Sequence, residues 1–262
     1  MPLFAANLSM MFTEYDFLDR FDAAANAGFS AVEYLFPYDF PADVLAEKLQ
    51  SNNLQQVLFN TVPGDWDAGE RGLASLPGRE QEFLDGVAKA IEYAKALDCP
   101  RIHGMAGLVA DDSHRPRQQD TYLKTIADAA DLCHAQNIDL LIEPINPINM
   151  PGYFLNDFAQ ACDILDTLNA ADHRARLQFD YFHCQRIHGD VPAWIKKCKQ
   201  HIAHFQIAGT PDRHEPDVGD LPYQSILAAA TSEGFEQLAV GCEYIPAGKT
   251  EDGLNWCRQW LN

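Results

Sequence analysis

The chain has 262 residues, of which 47% are hydrophobic and 22% are charged. These fractions are close to those of ordinary soluble globular proteins, so they argue against a disordered chain and against a membrane protein. Asp and Glu outnumber Lys and Arg by 38 to 19, and the formal net charge of −19 would repel the phosphate backbone of a nucleic acid. The composition therefore predicts a folded protein without a nucleic-acid or membrane partner.

The seven cysteines are an odd number, are scattered along the chain and include no C-x-x-C pair. This pattern argues against a disulfide framework and against a structural zinc site. The N-terminal stretch MPLFAANLSMMF has no basic segment, and Asn7 and Ser9 interrupt its apolar residues, so it predicts a strand and not a secretory signal. We expect reduced thiols and a cytoplasmic location.

Eight short runs rich in β-branched, aromatic or Leu residues recur along the chain, and each predicts a strand. In order they are LFAANLSM, AVEYLF, QQVLFN, RIHGMAG, DLLIEPI, RLQFDYFH, IAHFQIAG and LAVGCEY. A stretch with helical spacing follows each run. Eight such units in a chain of this length match an α/β protein with the (β/α)8 TIM barrel fold better than a doubly wound sheet. We predict a single barrel domain over 1–262.

The helical stretches differ in how clearly their ends are marked. Thr13 and Asp16 resemble a capping box, and Gly28 suits the end of the first helix. An amphipathic stripe predicts a helix between 80 and 98. Further helices are predicted near 41–51, 116–136, 156–169, 190–200, 222–233 and 250–261. The long connection at about 61–80, TVPGDWDAGERGLASLPGRE, is a candidate lid or substrate loop.

Four polar residues lie late in the last four predicted strands. They are Glu143, Asp180, Gln206 and Glu243, each separated from the next by about one βα unit. In a barrel the carboxyl ends of the strands meet at one mouth, where catalytic residues are expected. Three buried acids without a partner would be unstable. A divalent cation removes that difficulty, and an all-oxygen set suits Mg²⁺, or Mn²⁺, better than Zn²⁺.

A single acid at a strand end has a simpler interpretation. It is more often a helix cap or the partner of a nearby cation than a metal ligand. Four polar groups at equivalent positions in consecutive units favour the metal site.

Three cationic or titratable residues lie near these strand ends. His183 follows Asp180 by three residues, and His103 lies within the fourth strand. Arg213, in a loop after the seventh strand, suits a substrate carboxylate because its guanidinium donates two hydrogen bonds, although a surface salt bridge with Asp212 or Glu215 is an equal alternative. His103 has a core histidine as its alternative. Surface positions are expected for His114, His134, His173, His201 and His204.

Six stretches together are typical of one family: FAANLSMMFTEYDFL, VEYLFPYDF, FNTVPGDWDAGERGLASLPGRE, IEPIN, QIAGTPDRHEPDVGD and GCEYIPAGKTEDGL. They resemble the hydroxypyruvate isomerase family, which includes the 2-oxo-tetronate isomerases and lies within the xylose-isomerase-like barrels. The resemblance covers nearly the whole chain. LFNTVPGD with AGTPDRHEPD favours the oxo-tetronate branch, whereas DWDAGERG and IEPIN also fit hydroxypyruvate isomerase proper.

The resemblance implies a divalent metal held by Glu143, Asp180, Gln206 and Glu243, with the two glutamates as the acid/base pair and no organic cofactor. It also implies that His183 and Arg213 contact substrate oxygens, and that the chain can form a homo-oligomer.

The function expected from these residues is a metal-dependent isomerisation of a small anionic hydroxy-keto acid through an enediolate. Hydroxypyruvate and 2-oxo-tetronate are the expected substrates. A ketose 3-epimerase using the same site is the alternative enzyme, and a metal-dependent sugar-acid binding module is the alternative without catalysis.

Overall fold

The eight predicted strands form one closed parallel barrel. The computed structural model describes residues 2–261. Its strands are β1 (Leu3–Asn7), β2 (Ala31–Glu33), β3 (Gln55–Asn60), β4 (Arg101–His103), β5 (Asp139–Ile142), β6 (Ala175–Asp180), β7 (Ile202–Ile207) and β8 (Ala239–Cys242). Each strand pairs in parallel with the next, and β8 pairs with β1. The predicted (β/α)8 barrel is confirmed.

The connections between the strands carry eight α-helices. They are α1 (Arg20–Asn26), α2 (Ala42–Ser51), α3 (Glu80–Ala96), α4 (Arg115–His134), α5 (Phe158–Ala170), α6 (Tyr181–His188), α7 (Val191–Cys198) and α8 (Tyr223–Ser232). Short 3-10 helices span Phe17–Asp19, Asp112–His114, Thr250–Trp256 and Arg258–Trp260. The predicted stripe of α3 is buried at Phe83, Val87, Ala90 and Ala94, and apolar helix faces of this kind pack around the barrel.

The first helix begins later than its capping signal predicted. Residues before Phe17 form turns, and Asp16 makes no side-chain cap. Tertiary contacts hold this segment instead: the Glu14 carboxylate accepts a hydrogen bond from the Thr250 backbone N–H at 2.6 Å, and the Phe12 N–H donates to Thr250 Oγ1 at 2.7 Å. The Thr13 capping box is therefore wrong, because the C-terminal segment binds the residues that would have begun the helix.

Two further elements also differ from the prediction. The segment 250–261 forms 3-10 helices and not one α-helix. Gly253 lies within it, where glycine weakens a helix, and a Cβ there would overlap the Glu215 carboxylate. The second difference is α6, which begins at Tyr181, directly after β6, and ends at Gly189 with φ of 78°. The run RLQFDYFH therefore divides between a strand and a helix.

The loop at 61–79 connects β3 to α3 and lies at the mouth of the barrel. Its Trp66 packs against Phe36, with ring centroids 5.1 Å apart, and the Arg71 guanidinium stacks 3.9 Å from the Trp66 ring. Within residues 2–261, no helix combines the length and the apolar character needed to cross a bilayer.

Candidate active site

The four predicted strand-end residues are all buried at the mouth of the barrel. Glu143 and Glu243 directly follow β5 and β8, while Asp180 ends β6 and Gln206 lies in β7. The β6–β7 register pairs Asp180 with Gln206. Paired residues of neighbouring strands point to the same face of a sheet, and the hydrogen bond from Gln206 to Glu33 of β2 shows that this face is the barrel interior.

Two oxygens at this mouth are buried without a hydrogen bond. In the described part of the chain, neither Glu143 Oε1 nor Asp180 Oδ2 has a hydrogen-bond partner. Ligand atoms of Glu143, Asp180 and His183 lie within 4.8 Å of one another. Unpaired buried carboxylate oxygens are unfavourable unless a cation or proton neutralises them. These donors fit a hard divalent cation, which prefers oxygen ligands.

Asp180 has two separate roles because its two oxygens face different partners. Oδ1 accepts the backbone N–H groups of Phe182 at 2.7 Å and His183 at 3.4 Å, and so caps α6. Oδ2 stays available to the site, 3.6 Å from His183 Nε2. The helix cap that the sequence offered as an alternative is therefore present, and it leaves one oxygen free.

Burial raises the pKa of all three acids at this mouth. It raises the pKa of Glu143 well above its usual range, and the charges of Glu243 and Asp180 raise it further. Burial also raises the pKa of Asp180 to about 6 and that of Glu243 to about 8, although in both cases the Arg213 guanidinium opposes the rise. Carboxylates that titrate near neutrality are suited to general acid/base chemistry.

Arg213 points into the site and not toward the surface. It lies in the left-handed region, with φ of 60°, in the β7–α8 loop. Its Nη2 is 2.5 Å from Glu243 Oε2 and 3.8 Å from Asp180 Oδ2. Among the described residues it forms no ion pair with Asp212 or Glu215. The surface salt bridge considered from the sequence is thereby excluded.

Both histidines near the strand ends are buried beside Glu143. His183 Nε2 lies 3.9 Å from Glu143 Oε1, and His103 Nδ1 lies 3.7 Å from Glu143 Oε2 and 3.2 Å from Asn60 Oδ1. Burial lowers the pKa of His103 to about 3 and lowers the pKa of His183 well below its usual range. Both rings are therefore neutral at physiological pH.

Comparisons with known proteins agree with this geometry. A family model described as a xylose isomerase-like TIM barrel matches residues 21–260. The 2-oxo-tetronate isomerase of Cupriavidus necator is 49% identical, with 100% of this chain and 99% of that protein covered. The hydroxypyruvate isomerase of Escherichia coli K12 is 41% identical, with 97% of each protein covered. The chain belongs to the hydroxypyruvate isomerase family.

Membership of the hydroxypyruvate isomerase family makes the chain an isomerase. A crystal structure from Brucella melitensis, described as an AP endonuclease of family 2, is also similar. It has a TM-score of 0.95 and 47% identity, with 100% of both chains covered.

The mouth of the barrel in this family member holds a cavity of about 140 Å³. Its polar wall includes Glu143, Glu243, His103, His183 and Arg213, which places five of the predicted site residues around one space. Its apolar wall consists of Met10, Leu35, Trp66, Met105, Ile145 and Met150. The remaining predicted ligands, Asp180 and Gln206, lie behind this lining.

The sequence interpretation missed a buried carboxylate below the site. Glu33, at the end of β2, accepts hydrogen bonds from Asn7 Nδ2 at 3.0 Å, Gln206 Nε2 at 2.9 Å and His204 Nε2 at 2.8 Å. The sequence signal of Glu33 was weaker than that of the other acids, because it lies in the middle of the run AVEYLF and not late in it. His201 is buried, with 3% of its surface exposed, so the surface positions predicted for His201 and His204 are both wrong. His204 is fully buried. It shares the inward face of β7 with Gln206, two residues away.

Glu33 also orients the amide of Gln206. A carboxylate only accepts hydrogen bonds, so the Gln206 nitrogen faces Glu33 and its oxygen faces the other way. That oxygen accepts a hydrogen bond from Gln178 Nε2 at 2.6 Å and retains a second lone pair.

Proposed function

We propose that this chain is a metal-dependent isomerase of a small hydroxy-keto acid, either 2-oxo-tetronate or hydroxypyruvate. The observation that supports it most directly is the pair of buried oxygens, Glu143 Oε1 and Asp180 Oδ2, for which the described residues offer no hydrogen bond. The names of the relatives in Cupriavidus necator and Escherichia coli supply the two candidate substrates.

Glu143, Asp180, Gln206 and Glu243 would hold the metal, with Mg²⁺ favoured by their oxygen donors and Mn²⁺ as the second choice. A bound divalent cation would stabilise the negative charge that develops on the substrate oxygens when the neighbouring C–H loses its proton. Asp180 suits this role because its second oxygen is already committed to α6, which fixes the direction of the first.

The two glutamates would move the proton. One carboxylate takes a proton from the hydroxyl-bearing carbon next to the substrate carbonyl, which leaves an enediolate. The hydroxyl proton passes to the former carbonyl oxygen, and the other glutamate, in its protonated form, gives a proton to the former carbonyl carbon. The carbonyl thereby moves by one carbon and no external electron acceptor is needed. Burial raises the pKa of Glu143 and Glu243, which brings proton exchange at these carboxylates closer to neutral pH.

Other residues of the cavity would bind and enclose the substrate. The Arg213 guanidinium, already 2.5 Å from Glu243, is placed to donate to a substrate carboxylate beside the acid/base pair. His183 and His103 face the same space. Trp66 belongs to the 61–79 loop and covers one side of the cavity, so we assign this loop the role of a substrate lid that excludes water.

A nuclease activity, raised by the description of the Brucella structure, is less consistent with these residues. The net charge of −19 opposes binding to a phosphate backbone. A cavity of about 140 Å³ suits a molecule of a few carbon atoms. An abasic-site oligonucleotide is therefore a suitable negative substrate.

The decisive experiment is an activity panel on protein stripped with EDTA and then supplied with Mg²⁺, Mn²⁺ or Zn²⁺ separately. The substrates are hydroxypyruvate, 2-oxo-tetronates, simple ketoses and the abasic oligonucleotide. We expect isomerisation of a hydroxy-keto acid that requires Mg²⁺ or Mn²⁺. Full activity in the stripped protein, or cleavage of the oligonucleotide alone, would contradict the proposal.

Proton NMR in D₂O separates the isomerase from its alternatives. An isomerase incorporates solvent deuterium and moves the carbonyl, whereas a 3-epimerase returns the proton to the same carbon of a ketose. A binding module binds the acid in the presence of Mg²⁺ without any deuterium incorporation.

A further inference from the structure

The side chain of Asn146 has a fixed orientation beside the site. Asn146 follows Glu143 by three residues and is fully buried. Its Oδ1 accepts the backbone N–H groups of Ile148 at 3.1 Å and Asn149 at 3.0 Å. A flipped amide would direct an NH₂ group at two N–H donors, so these contacts settle which end of the amide is oxygen.

The nitrogen of the same amide contacts His183. Asn146 Nδ2 lies 2.7 Å from His183 Nδ1, and the Asn146 backbone N–H is directed at the same ring nitrogen at 3.4 Å. Two donors therefore converge on Nδ1, which must accept with its lone pair. An imidazole that accepts at Nδ1 carries its proton on Nε2.

The other ring nitrogen faces the acids. His183 Nε2 lies 3.6 Å from Asp180 Oδ2 and 3.9 Å from Glu143 Oε1. By position alone, His183 would complete a three-residue metal site with these two acids. A protonated Nε2 has no lone pair to offer a cation, but it can donate to an oxygen bound in the cavity.

We propose that Asn146 is a positioning residue that holds His183 in the Nε2–H form, so that His183 donates a hydrogen bond to a substrate oxygen and stays outside the metal ligand set. The substrate part rests on the proposed function, whereas the proton position on the ring does not.

The first test is ¹⁵N NMR of the histidine side chains in the full-length protein, with and without Mg²⁺. The His183 signals are assigned by their loss in His183→Gln. We expect Nδ1 to have the chemical shift of an unprotonated nitrogen and Nε2 that of a protonated one, and we expect Nε2 to remain protonated when Mg²⁺ is added. A protonated Nδ1, or loss of the Nε2 proton on addition of Mg²⁺, would overturn the proposal.

The second test reverses the polarity of the contact. Asn146→Asp keeps the shape and the acceptor for Ile148 and Asn149, but places a carboxylate oxygen against Nδ1. We expect Nδ1 to become protonated and kcat to fall by about 10- to 100-fold, the range for loss of one hydrogen bond to a charged group. Asn156→Asp adds the same charge to the same loop and should leave the His183 signals unchanged, because within residues 2–261 the Asn156 side chain hydrogen-bonds only to the Tyr153 carbonyl.

The outcomes separate this inference from the proposed function. An unchanged Nδ1 signal in a folded Asn146→Asp variant contradicts the positioning role. If Asn146→Asp does not fold, the wild-type spectra still decide the position of the proton. The expected spectra in a protein without isomerase activity would contradict the function and leave the role of Asn146 intact.

Discussion

Glu143 and Glu243 differ in their surroundings although both end barrel strands. Glu243 is bound to Arg213 at 2.5 Å, whereas Glu143 Oε1 makes no hydrogen bond within residues 2–261. The pair therefore combines one carboxylate that contacts a guanidinium with one whose pKa is raised mainly by burial and by the charges of neighbouring acids. Such asymmetry is a common way to give two carboxyl groups different acid/base roles.

Replacing either glutamate by glutamine should remove proton transfer while keeping the shape of the site. We expect kcat of Glu143→Gln and of Glu243→Gln to fall by about 10² to 10⁴, measured by steady-state kinetics on the substrate that the activity panel identifies. Glu47→Gln, on the exposed face of α2, is the charge-matched control and should retain wild-type kcat. Near-normal turnover in either active-site variant would show that the acid/base assignment is wrong.

At the scale of elements, Asp180 at the β6–α6 junction is both the cap of a helix and a proposed metal ligand. Because Asp180 caps α6 through Oδ1 and faces the site through Oδ2, the helix holds the carboxylate in one rotamer. The same junction places His183 in the first turn of α6, beside Asn146 of the β5–α5 loop. The position of His183 is therefore determined by α6, which carries it, and by the β5–α5 loop, which contacts its ring.

Substitution of Asp180 separates the two roles. Asp180→Asn retains an oxygen for the cap, so the free energy of unfolding of the metal-free protein should stay within about 1 kcal/mol of wild type, while Mg²⁺ affinity falls at least about 10-fold. Asp180→Ala should lose a further 0.5–2 kcal/mol or so. Denaturant unfolding and calorimetric titration measure the two quantities. Wild-type Mg²⁺ affinity in Asp180→Asn would exclude Asp180 as a ligand.

At the scale of the whole molecule, the barrel interior below the site is polar and closely fitted. A Cβ at Gly241 of β8 would overlap the carboxylate of Glu33 on β2. The glycine in the run AVGC thus makes room for the acid that orients Gln206. The hydrogen bonds of Glu33 therefore require a residue without a side chain at position 241 of β8.

Gly241→Ala should destabilise the barrel by about 1–3 kcal/mol, the usual effect of overpacking a buried site. Gly248→Ala is the matched control, because a Cβ there has no atom within 4 Å in the described residues. Thermal or denaturant unfolding compares the two variants. Equal stability of both would mean that Glu33 does not occupy the space against Gly241.

The cluster of acids also makes the stability of the metal-free protein depend on pH. The folded pKa of Asp180, about 6, and that of Glu243, about 8, lie above their ordinary values of 3.8 and 4.5. Between the ordinary and the raised values the folded state binds more protons than the unfolded state, so these groups reduce stability as pH rises from about 4 to about 8. Mg²⁺ should offset this loss, because it replaces the protons.

We therefore expect the increase in Tm produced by Mg²⁺ to grow between pH 5 and pH 8. At roughly 2–4 °C per kcal/mol for a chain of this size, differential scanning calorimetry resolves the effect. Glu243→Gln should flatten the pH dependence of the metal-free Tm. A Mg²⁺ effect that is constant across this range would argue against a site built from these acids.

The eight-unit alternation of strands and helices was readable from the sequence, because apolar periodicity and loop composition are local properties. The strand-end residues Glu143, Asp180, Gln206 and Glu243 were also readable, since parallel strands of a barrel must bring their carboxyl ends together. The late start of α1 was not, because the contacts that hold Glu14 come from Thr250, at the far end of the chain.

Only the tertiary structure decided how the polar groups pair. Arg213 forms an ion pair with Glu243 and not with a surface acid. One oxygen of Asp180 caps α6 and the other faces the site. Glu33 lies against Gly241, with β1 between their two strands. The tertiary structure also fixed the ring nitrogen that His183 presents to the acids. The reason is physical: periodicity along the chain specifies which face a side chain occupies, whereas the direction of a hydrogen bond depends on which donor or acceptor another strand or loop brings opposite it.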